Sequence, residues 1–338
     1  MNKPQIQSNS DKEALASKKN KIPPGVERNA FEFAQQSFSE IKNWQVFKVR
    51  PTVIFFLEGD GRPYLLRSSK IKPVYKKWFG SHGFVNQMAV YRAFCRNDLQ
   101  NFRVPAVFRT GGRTLILIEF INHAETGPFN DEILRRKTAQ SLQEFQNVRE
   151  SSPLPPEHKV LRKFFNVRDG LRSKGVINML KLSKQLTYSQ VQKGLKIYWH
   201  AGKLPHKIWI HGDFHPNNIV KDPSNHLYII DFEYSRRYNN GLFMDAAQYA
   251  VDWENFAIDK KFLKLFYQKV LKSYPGKEKL IYRQLRAALL RRVSQVALNR
   301  RYTSEVKQAA LEFMIDKILN DEGFKNWFVL DQRDSTIA

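Results

Sequence analysis

The sequence predicts an α+β protein in which a small β-rich lobe is followed by a larger α-helical lobe. Short β-prone runs alternate with turn signals between Trp44 and Phe120, and apolar residues recur at helical spacing over most of the remaining chain. The 338 residues are 42% hydrophobic and 13% aromatic. This composition excludes a disordered or fibrous protein and provides for a sizeable core.

The β-rich lobe is predicted over residues 29–122. It follows a basic, polar tail at 1–28, which has no apolar periodicity and which we expect to be flexible. Asp60-Gly61 lies between two β-prone runs and favours a tight hairpin turn with positive φ. In chain order, the predicted elements are strands at 44–49, 52–57 and 64–67, a helix at 84–94, and strands at 104–108 and 115–120.

The α-helical lobe is predicted over residues 123–338. Asp131 is placed to cap its first helix, which a Ser-Pro-rich stretch ends. A long basic stretch at 159–207 follows, and we expect it to form helices and loops. Two short β-prone runs at 208–211 and 227–231 come next, and the C-terminal residues return to helical periodicity.

The charge of the chain is strongly basic. It carries 56 Lys and Arg against 32 Asp and Glu, a net charge of +24, and its isoelectric point is about 10.0. Such a field favours an anionic partner. The excess is concentrated in residues 62–109 and 159–207, whereas residues 208–259 are net acidic.

The cellular compartment is constrained by what the sequence lacks. A single cysteine excludes an intramolecular disulfide and fits a reducing compartment. We find no signal-peptide core and no apolar run long enough to cross a bilayer. We therefore expect a cytoplasmic protein, and the basic charge leaves open a peripheral contact with the inner membrane face.

The residues that carry chemistry follow the first short strand of the helical lobe. His211-Gly-Asp213 is followed after four residues by Asn218, and Asp231 ends the next β-prone run. This order and spacing match a kinase catalytic loop with its later metal-binding Asp. A carboxylate can orient an attacking hydroxyl and take its proton, while amide and carboxylate oxygens suit Mg²⁺. We therefore assign Asp213 as the catalytic residue and Asn218 and Asp231 as metal ligands.

Neighbouring polar residues receive structural roles. Two nearby histidines, His211 and His215, are not accompanied by a cysteine, so a structural role is favoured over zinc binding. Asp245 begins an amphipathic segment, and we expect it to be a helix N-cap that also bonds the catalytic loop.

The segment HGDFHPNNIV, which starts at His211, resembles the catalytic loop of the aminoglycoside phosphotransferase and choline kinase family, in the protein-kinase-like superfamily. Gly212 and the pair His215-Pro216 favour this family over eukaryotic protein kinases, and Asp231-Phe-Glu resembles its metal motif. The resemblance is specific around the catalytic segment and topological in the β-rich lobe. It implies a bilobal protein-kinase-like fold, a nucleotide-binding first lobe, and ATP and Mg²⁺ as cofactors.

The β-rich lobe departs from the family pattern. The family's third strand ends in a Lys that touches nucleotide phosphates and pairs with a Glu on the next helix, and Arg67 and Gln87 occupy these positions here. An Arg can still bind phosphate through two hydrogen bonds. The turn between the first two strands is an Arg-Pro pair without glycine. The resemblance places the adenine against backbone groups at Glu119 and Ile121.

Together these observations predict an ATP- and Mg-dependent phosphotransferase that acts on a hydroxyl of a small-molecule or glycolipid acceptor. The basic insertion at 159–207 precedes the catalytic loop and favours an anionic acceptor. The alternative is a kinase-like pseudoenzyme that acts as a binding or scaffold module, which Arg67, Gln87 and the glycine-poor turn motivate. A nucleic-acid-binding protein is less favoured, since only the net charge suggests it. The acceptor's identity, the choice of ATP over GTP and the oligomeric state stay open.

Overall fold

The computed structural model divides into two compact units. Unit 1 comprises Met1–Tyr91 and Val104–Asn122, and unit 2 comprises Arg92–Arg103 and His123–Ala338. The structure describes residues 22, 25–49, 52–69, 87, 90, 91, 93, 94, 99–111, 115–122, 125–128, 131–148, 171–252 and 254–328.

Unit 1 is built on a five-stranded antiparallel sheet of order β1-β2-β3-β5-β4, which confirms the predicted strands. The predicted turn at Asp60-Gly61 has φ of 48° and 78°, the left-handed conformation that Asp and Gly tolerate best. The Arg-Pro turn between β1 and β2 lies outside the described residues. The elements are helix α1 (Val26–Gln35) and strands β1 (Ile41–Val49), β2 (Thr52–Gly59), β3 (Arg62–Ser69), β4 (Val107–Gly111) and β5 (Leu115–Glu119).

The core of unit 1 lies between α1 and one face of this sheet. Ala30 and Phe33 of α1 are buried in a cluster with Phe55, Leu66 and Leu117 from three strands. Because strand side chains alternate between faces, these strands can present one apolar face to the helix. The helix begins inside the range that the sequence assigns to the tail, since its apolar face has this sheet to pack on.

One strand of unit 1 is displaced from its predicted position. The sequence predicts a strand at 104–108, and β4 instead occupies Val107–Gly111. Pro105 has no N–H to donate to a strand ladder. Arg103 forms an isolated bridge in unit 2 instead, donating to the carbonyl of Leu227 at 2.7 Å.

Unit 2 is mainly helical, as predicted. The first helix is capped by Asp131, whose side chain accepts from the N–H of Leu134 at 2.8 Å. None of the helices among the described residues combines the length and the hydrophobicity that a bilayer span requires. The helices are α2 (Glu132–Asn147), α3 (Leu171–Leu182), α4 (Tyr188–His200), α5 (Met244–Ala250), α6 (Lys260–Ser273), α7 (Glu278–Leu298), α8 (Ser304–Phe313) and α9 (Asp321–Phe328), with a π-helical turn at Met314–Ile318.

Five short strands position the candidate site within unit 2. β6, β8 and β9 form one antiparallel sheet, and β7 pairs with β10. A tight turn joins β8 to β9, in which the N–H of Asn225 donates to the carbonyl of Asp222 at 3.0 Å. The strands are β6 (Glu125–Thr126), β7 (Ile208–Ile210), β8 (Ile219–Lys221), β9 (Leu227–Ile229) and β10 (Arg236–Tyr238).

A layer of buried aromatic rings supports these strands. Phe145 of α2 stacks on Phe94 and Phe232, with ring centroids 4.8 and 6.0 Å apart. The ring of His211, which opens the catalytic segment, lies 5.9 Å from that of Phe145. Fully buried rings of this size pack densely and resist displacement, so the catalytic segment starts from a rigid base.

Candidate active site

The three residues predicted to do chemistry all follow strands of unit 2. Asp213 comes three residues after β7, Asn218 directly precedes β8, and Asp231 comes two residues after β9. β8 and β9 pair with Ile219 opposite Ile229, and the N–H of Ile230 donates to the Asn218 carbonyl at 3.0 Å. The hairpin therefore brings Asn218 next to the residue that precedes Asp231.

Asp213 is a partly buried carboxylate whose two oxygens have different neighbours. Its Oδ1 accepts a hydrogen bond from Gln248 Nε2 on α5 at 2.9 Å, and its Oδ2 lies 3.6 Å from Nε2 of His215. Burial raises the pKa of Asp213, but His215 and Gln248 stabilise the charged form more strongly, so the pKa lies below its usual value. The carboxylate is thus ionised and oriented, as a proton acceptor must be.

Asn218 is held by its amide nitrogen. Its Nδ2 donates to the backbone carbonyl of Asp213 at 2.8 Å, and the residue is buried. Because the nitrogen is committed to the loop, the amide oxygen is directed away from that carbonyl. Asp231 has φ of 65°, a left-handed conformation uncommon for residues other than Gly, Asn and Asp and often found at functional sites.

The donor set at this hairpin fits Mg²⁺. Asn218 contributes an amide oxygen and Asp231 a carboxylate, which are hard oxygen ligands. Within the described residues, no three His, Cys, Asp or Glu side chains cluster as a metal site. Such a small protein ligand set is typical of Mg²⁺, which keeps several waters and takes other oxygens from phosphates.

His211 holds the loop as a neutral imidazole. Its Nδ1 accepts from the N–H of Asp213 at 3.3 Å, so Nε2 carries the proton and donates to the carbonyl of Ile230 at 2.9 Å. Burial lowers the pKa of His211 to about 4, against the opposing effects of the Ile230 carbonyl and nearby carboxylates. The structural role predicted for this histidine fits the geometry, and its ring joins the Asp213 loop to the Asp231 loop.

Position 212 of the catalytic loop accepts only glycine. Its φ is 81°, and a Cβ at this position would lie 2.6 Å from the carbonyl oxygen of Tyr234. Both the backbone conformation and this close approach exclude a side chain. The glycine of the resembled motif therefore has a steric reason in this chain.

Asp245 anchors the same loop from α5. Its Oδ2 accepts from the N–H of His211 at 2.7 Å and its Oδ1 from that of Gly212 at 2.9 Å. Burial raises the pKa of Asp245 to about 7, although these two N–H donors lower it. The predicted bond to the catalytic loop is present. The predicted N-cap is wrong, since Phe243 occupies the cap position and Asp245 lies in the first turn, where its carboxylate points to another loop's N–H groups.

The other four predicted site residues lie in unit 1. Arg67 is buried on β3, opposite Ile54 and Ile116. Gln87 is helical and fully buried, and neither atom of its amide has a hydrogen-bond partner within the described residues. The side chains of Arg67 and Gln87 are therefore not hydrogen-bonded to each other.

Glu119 and Ile121 lie at the end of β5. The N–H of Glu119 donates to the carbonyl of Ala106 at 2.8 Å, and its Oε2 accepts from the Ala106 N–H at 3.1 Å. Ile121 follows the strand, and its backbone makes no hydrogen bond with another described residue. No described residue therefore occupies the backbone N–H and C=O of Ile121.

The sequence model of the phosphotransferase enzyme family matches residues 53–239. The chain belongs to this family. The match covers more than half of the sequence and includes Asp213, Asn218 and Asp231. It confirms the family that the catalytic segment resembles, and it establishes the protein as a phosphotransferase of small-molecule substrates. It thereby favours an enzyme over a scaffold module.

Solved structures confirm the kinase-like fold of this phosphotransferase. The ethanolamine kinase of Plasmodium vivax is 13% identical with a TM-score of 0.53, and the alignment covers 99% of this chain and 98% of that one. The ADP-bound aminoglycoside phosphotransferase APH(2'')-Ib is 15% identical with a TM-score of 0.51, covering 91% of this chain and all of that one. No curated protein sequence matches the chain significantly.

Two residues near Asp213 escaped the sequence analysis. Gln248 orients the carboxylate of Asp213. Arg292 of α7 interacts electrostatically with the same carboxylate. Burial lowers the pKa of the Arg292 guanidinium, and the negative charge of Asp213 opposes this shift, which places the two groups within electrostatic reach. Neither residue belongs to a recognisable motif, so only the three-dimensional arrangement reveals them.

Proposed function

We propose that this phosphotransferase moves the γ-phosphoryl group of ATP to a hydroxyl group of an anionic small molecule or glycolipid. The observation that carries the proposal is the environment of Asp213. Its carboxylate is ionised, partly exposed and oriented by Gln248 and His215. A carboxylate of this kind can position the acceptor hydroxyl and take its proton as the hydroxyl oxygen bonds to the γ-phosphoryl group and ADP leaves.

Asn218 and Asp231 hold Mg²⁺ in this proposal. The bound metal neutralises charge on the nucleotide phosphates. Asn218 serves this role through its amide oxygen while its nitrogen stays on the Asp213 carbonyl. His211 ties the backbones of the two acidic loops together, so both carboxylates are positioned before substrates arrive.

The nucleotide contacts proposed for unit 1 are separate from these. Arg67 binds nucleotide phosphates in this proposal, and the buried amide of Gln87, which follows β3 in the chain, is assigned to the same nucleotide-binding role. The adenine edge pairs with backbone groups at Glu119 and Ile121. The available backbone groups of Ile121 support this assignment.

The anionic acceptor is proposed from charge. The insertion at 159–207 carries twelve Lys and Arg and a single acid, and residues 171–207 of it are described. Arg292 adds a permanent positive charge within electrostatic reach of Asp213. A cationic acceptor would be repelled by this field and an acidic one attracted. The same charge favours peripheral contact with the cytoplasmic face of an anionic membrane, where an acidic glycolipid is accessible.

Acceptor panels test the proposal directly. The protein is incubated with Mg-ATP and with matched pairs of sugars that differ only by a phosphate or carboxylate group. We expect transfer to the acidic member of at least one pair, and none by the Asp213→Ala variant. Transfer only to neutral or cationic members would refute the anionic acceptor. Nucleotide binding without transfer to any hydroxyl would instead support the scaffold alternative, and ligand-dependent stabilisation measures that binding.

Two substitutions separate the sources of acceptor specificity. Arg292→Gln should raise KM for the acceptor about tenfold and leave KM for ATP unchanged. Arg162→Glu with Lys163→Glu tests the part of the insertion that lies outside the described residues. The control is Arg301→Gln, which removes an exposed charge beyond the end of α7. An equal rise of both KM values would contradict an acceptor-specific role.

A further inference from the structure

A second cleft lies within unit 2 between helices α4 and α7 and the segment Leu319–Lys325. Its volume is about 660 Å³, within the range of small-molecule binding sites. Helix α4 contributes Lys193, Lys196 and His200, which lie on successive turns of the helix. Helix α7 contributes side chains from its N-terminal half. Neither Asp213, Asn218 nor Asp231 lines it.

The lining of the cleft is strongly basic. Seven of its twelve residues are Lys, Arg or His, and only Asp321 is acidic. That carboxylate is already paired with Arg286 and with Lys325. Within the described part of the chain, the remaining five basic residues make no hydrogen bond or ion pair; they are Lys193, Lys196, His200, Lys279 and Arg283.

Unpaired cations gathered in one concave place repel each other. In a concave site the low-dielectric walls focus their field, so the potential attracts counter-ions more strongly than the same charges on a flat surface. One carboxylate would neutralise one of the four Lys and Arg charges among them. An anion with several charges neutralises more of them at once and is therefore preferred. Arg283 provides a planar donor fork that matches phosphate, and the lysines act as point charges.

The cleft and the catalytic loop lie on different faces of α7. Lys279, Arg283 and Arg286 recur at i, i+4 and i+7, which defines one face of the helix. Gln284 points from the opposite face, where its Oε1 accepts from the N–H of Leu242 at 3.1 Å. Leu242 comes two residues before the helix that carries Asp245 and Gln248. A ligand in the cleft is therefore separated from the catalytic loop by the body of α7.

We propose that this cleft is a second, non-catalytic binding site for a ligand that carries two or more phosphate groups. The inference does not depend on the proposed transfer reaction, since none of the catalytic residues lines the cleft. The phosphate groups come either from a soluble polyphosphorylated compound or from the headgroups of an anionic membrane. Both present the same chemistry to Lys and Arg.

Calorimetric titration of the full chain with inorganic tripolyphosphate, in the presence of EDTA, tests the site. The double variant Lys279→Glu/Arg283→Glu should bind about 100-fold more weakly, at about tenfold for each lost charge-assisted contact. Both side chains are exposed, so the fold should be preserved, and urea unfolding checks this. The matched control is Lys261→Glu/Arg301→Glu, which makes the same charge change at exposed residues outside the cleft.

The three titrations distinguish binding in the cleft from binding at the nucleotide site and from a general effect of charge. Loss of binding in the cleft variant alone supports the proposal. Equal binding by the wild type and the cleft variant would place tripolyphosphate at the nucleotide site and overturn it, and equal weakening in both double variants would show that only the overall charge matters. Sedimentation with vesicles of pure phosphatidylglycerol, and with pure phosphatidylcholine as reference, distinguishes the two sources. Cleft-dependent binding to phosphatidylglycerol identifies the membrane headgroup, and tripolyphosphate binding alone identifies a soluble ligand.

Discussion

Replacing Gln248 by Met should slow phosphoryl transfer and move the acidic limb of the pH–rate profile to higher pH. Gln248 Nε2 donates to Oδ1 of Asp213 at 2.9 Å. Met keeps the length of the side chain and removes the donor. The carboxylate then loses one stabilising partner and one constraint on its orientation, while His215 remains beside Oδ2.

The size of the effect follows from the exposure of Asp213. A hydrogen bond to a charged group contributes about 1.5–3 kcal/mol. The Asp213 side chain is 31% exposed, so water offsets part of the loss and about 1–1.5 kcal/mol remains. The loss of this donor raises the pKa of Asp213 and, through poorer orientation, lowers kcat about tenfold at the pH optimum.

The assay is steady-state transfer from Mg-ATP to the acceptor identified by the panel, measured across the acidic limb. Gln308→Met is the matched control, because Gln308 Nε2 also donates to a carboxylate at 2.9 Å, that of Glu312 on an exposed helix. Gln248→Asn, which retains an amide, should restore part of the rate. A lower rate with an unmoved acidic limb would refute the claim that Gln248 acts on Asp213, since a general loss of structure leaves that limb in place.

Three further outcomes follow from the site. Asp213→Ala should abolish transfer and leave nucleotide binding near the wild-type value; appreciable turnover would contradict its catalytic role. Asp231→Ala should lose activity and also the Mg-dependent part of nucleotide stabilisation in thermal melts, and undiminished Mg-ATP stabilisation would contradict its metal role. Since burial lowers the pKa of His211 to about 4, the folded chain binds this proton less readily than the unfolded chain. The contribution of His211 to stability should be complete above about pH 6.5 and fall by up to about 3 kcal/mol towards pH 4. Because the raised pKa of Asp245 acts in the opposite sense over this range, the measurement is the difference in urea unfolding between the wild type and His211→Gln, which should shrink by this amount as the pH falls.

The catalytic segment was predictable because its chemistry is local in sequence. Asp213 and Asn218 are five residues apart, and a single hairpin with a recognisable turn joins Asn218 to Asp231. Nearest-neighbour strand pairing needs no long-range information. The strands of unit 1 were predictable from β-prone runs separated by turn residues. The displacement of β4 could also have been predicted, because Pro105 has no N–H to donate to a neighbouring strand.

The partners of that segment were not predictable, because they depend on packing between distant elements. Gln248 and Arg292 resemble ordinary helix residues, and nothing in their spacing distinguishes them from neighbours that face solvent. Asp245 satisfies the pattern of an N-cap, yet its carboxylate accepts two N–H groups more than thirty residues away. The cleft likewise joins α4 to the start of α7, which are separated by the whole catalytic segment.

The distribution of charge is more informative than its sum. A net charge of +24 is compatible with many anionic partners, and by itself it does not separate an enzyme from a nucleic-acid-binding protein. Three of the acids at 208–259, Asp213, Asp231 and Asp245, instead lie in one loop system, and each has a different environment. Among the described residues, four Lys and Arg side chains share a cleft on other elements and make no ion pair there; they are Lys193, Lys196, Lys279 and Arg283. On one side of α7 this arrangement leaves a partly exposed carboxylate able to accept a proton, with Arg292 within electrostatic reach of it. On the other side it leaves Lys and Arg residues able to bind phosphate.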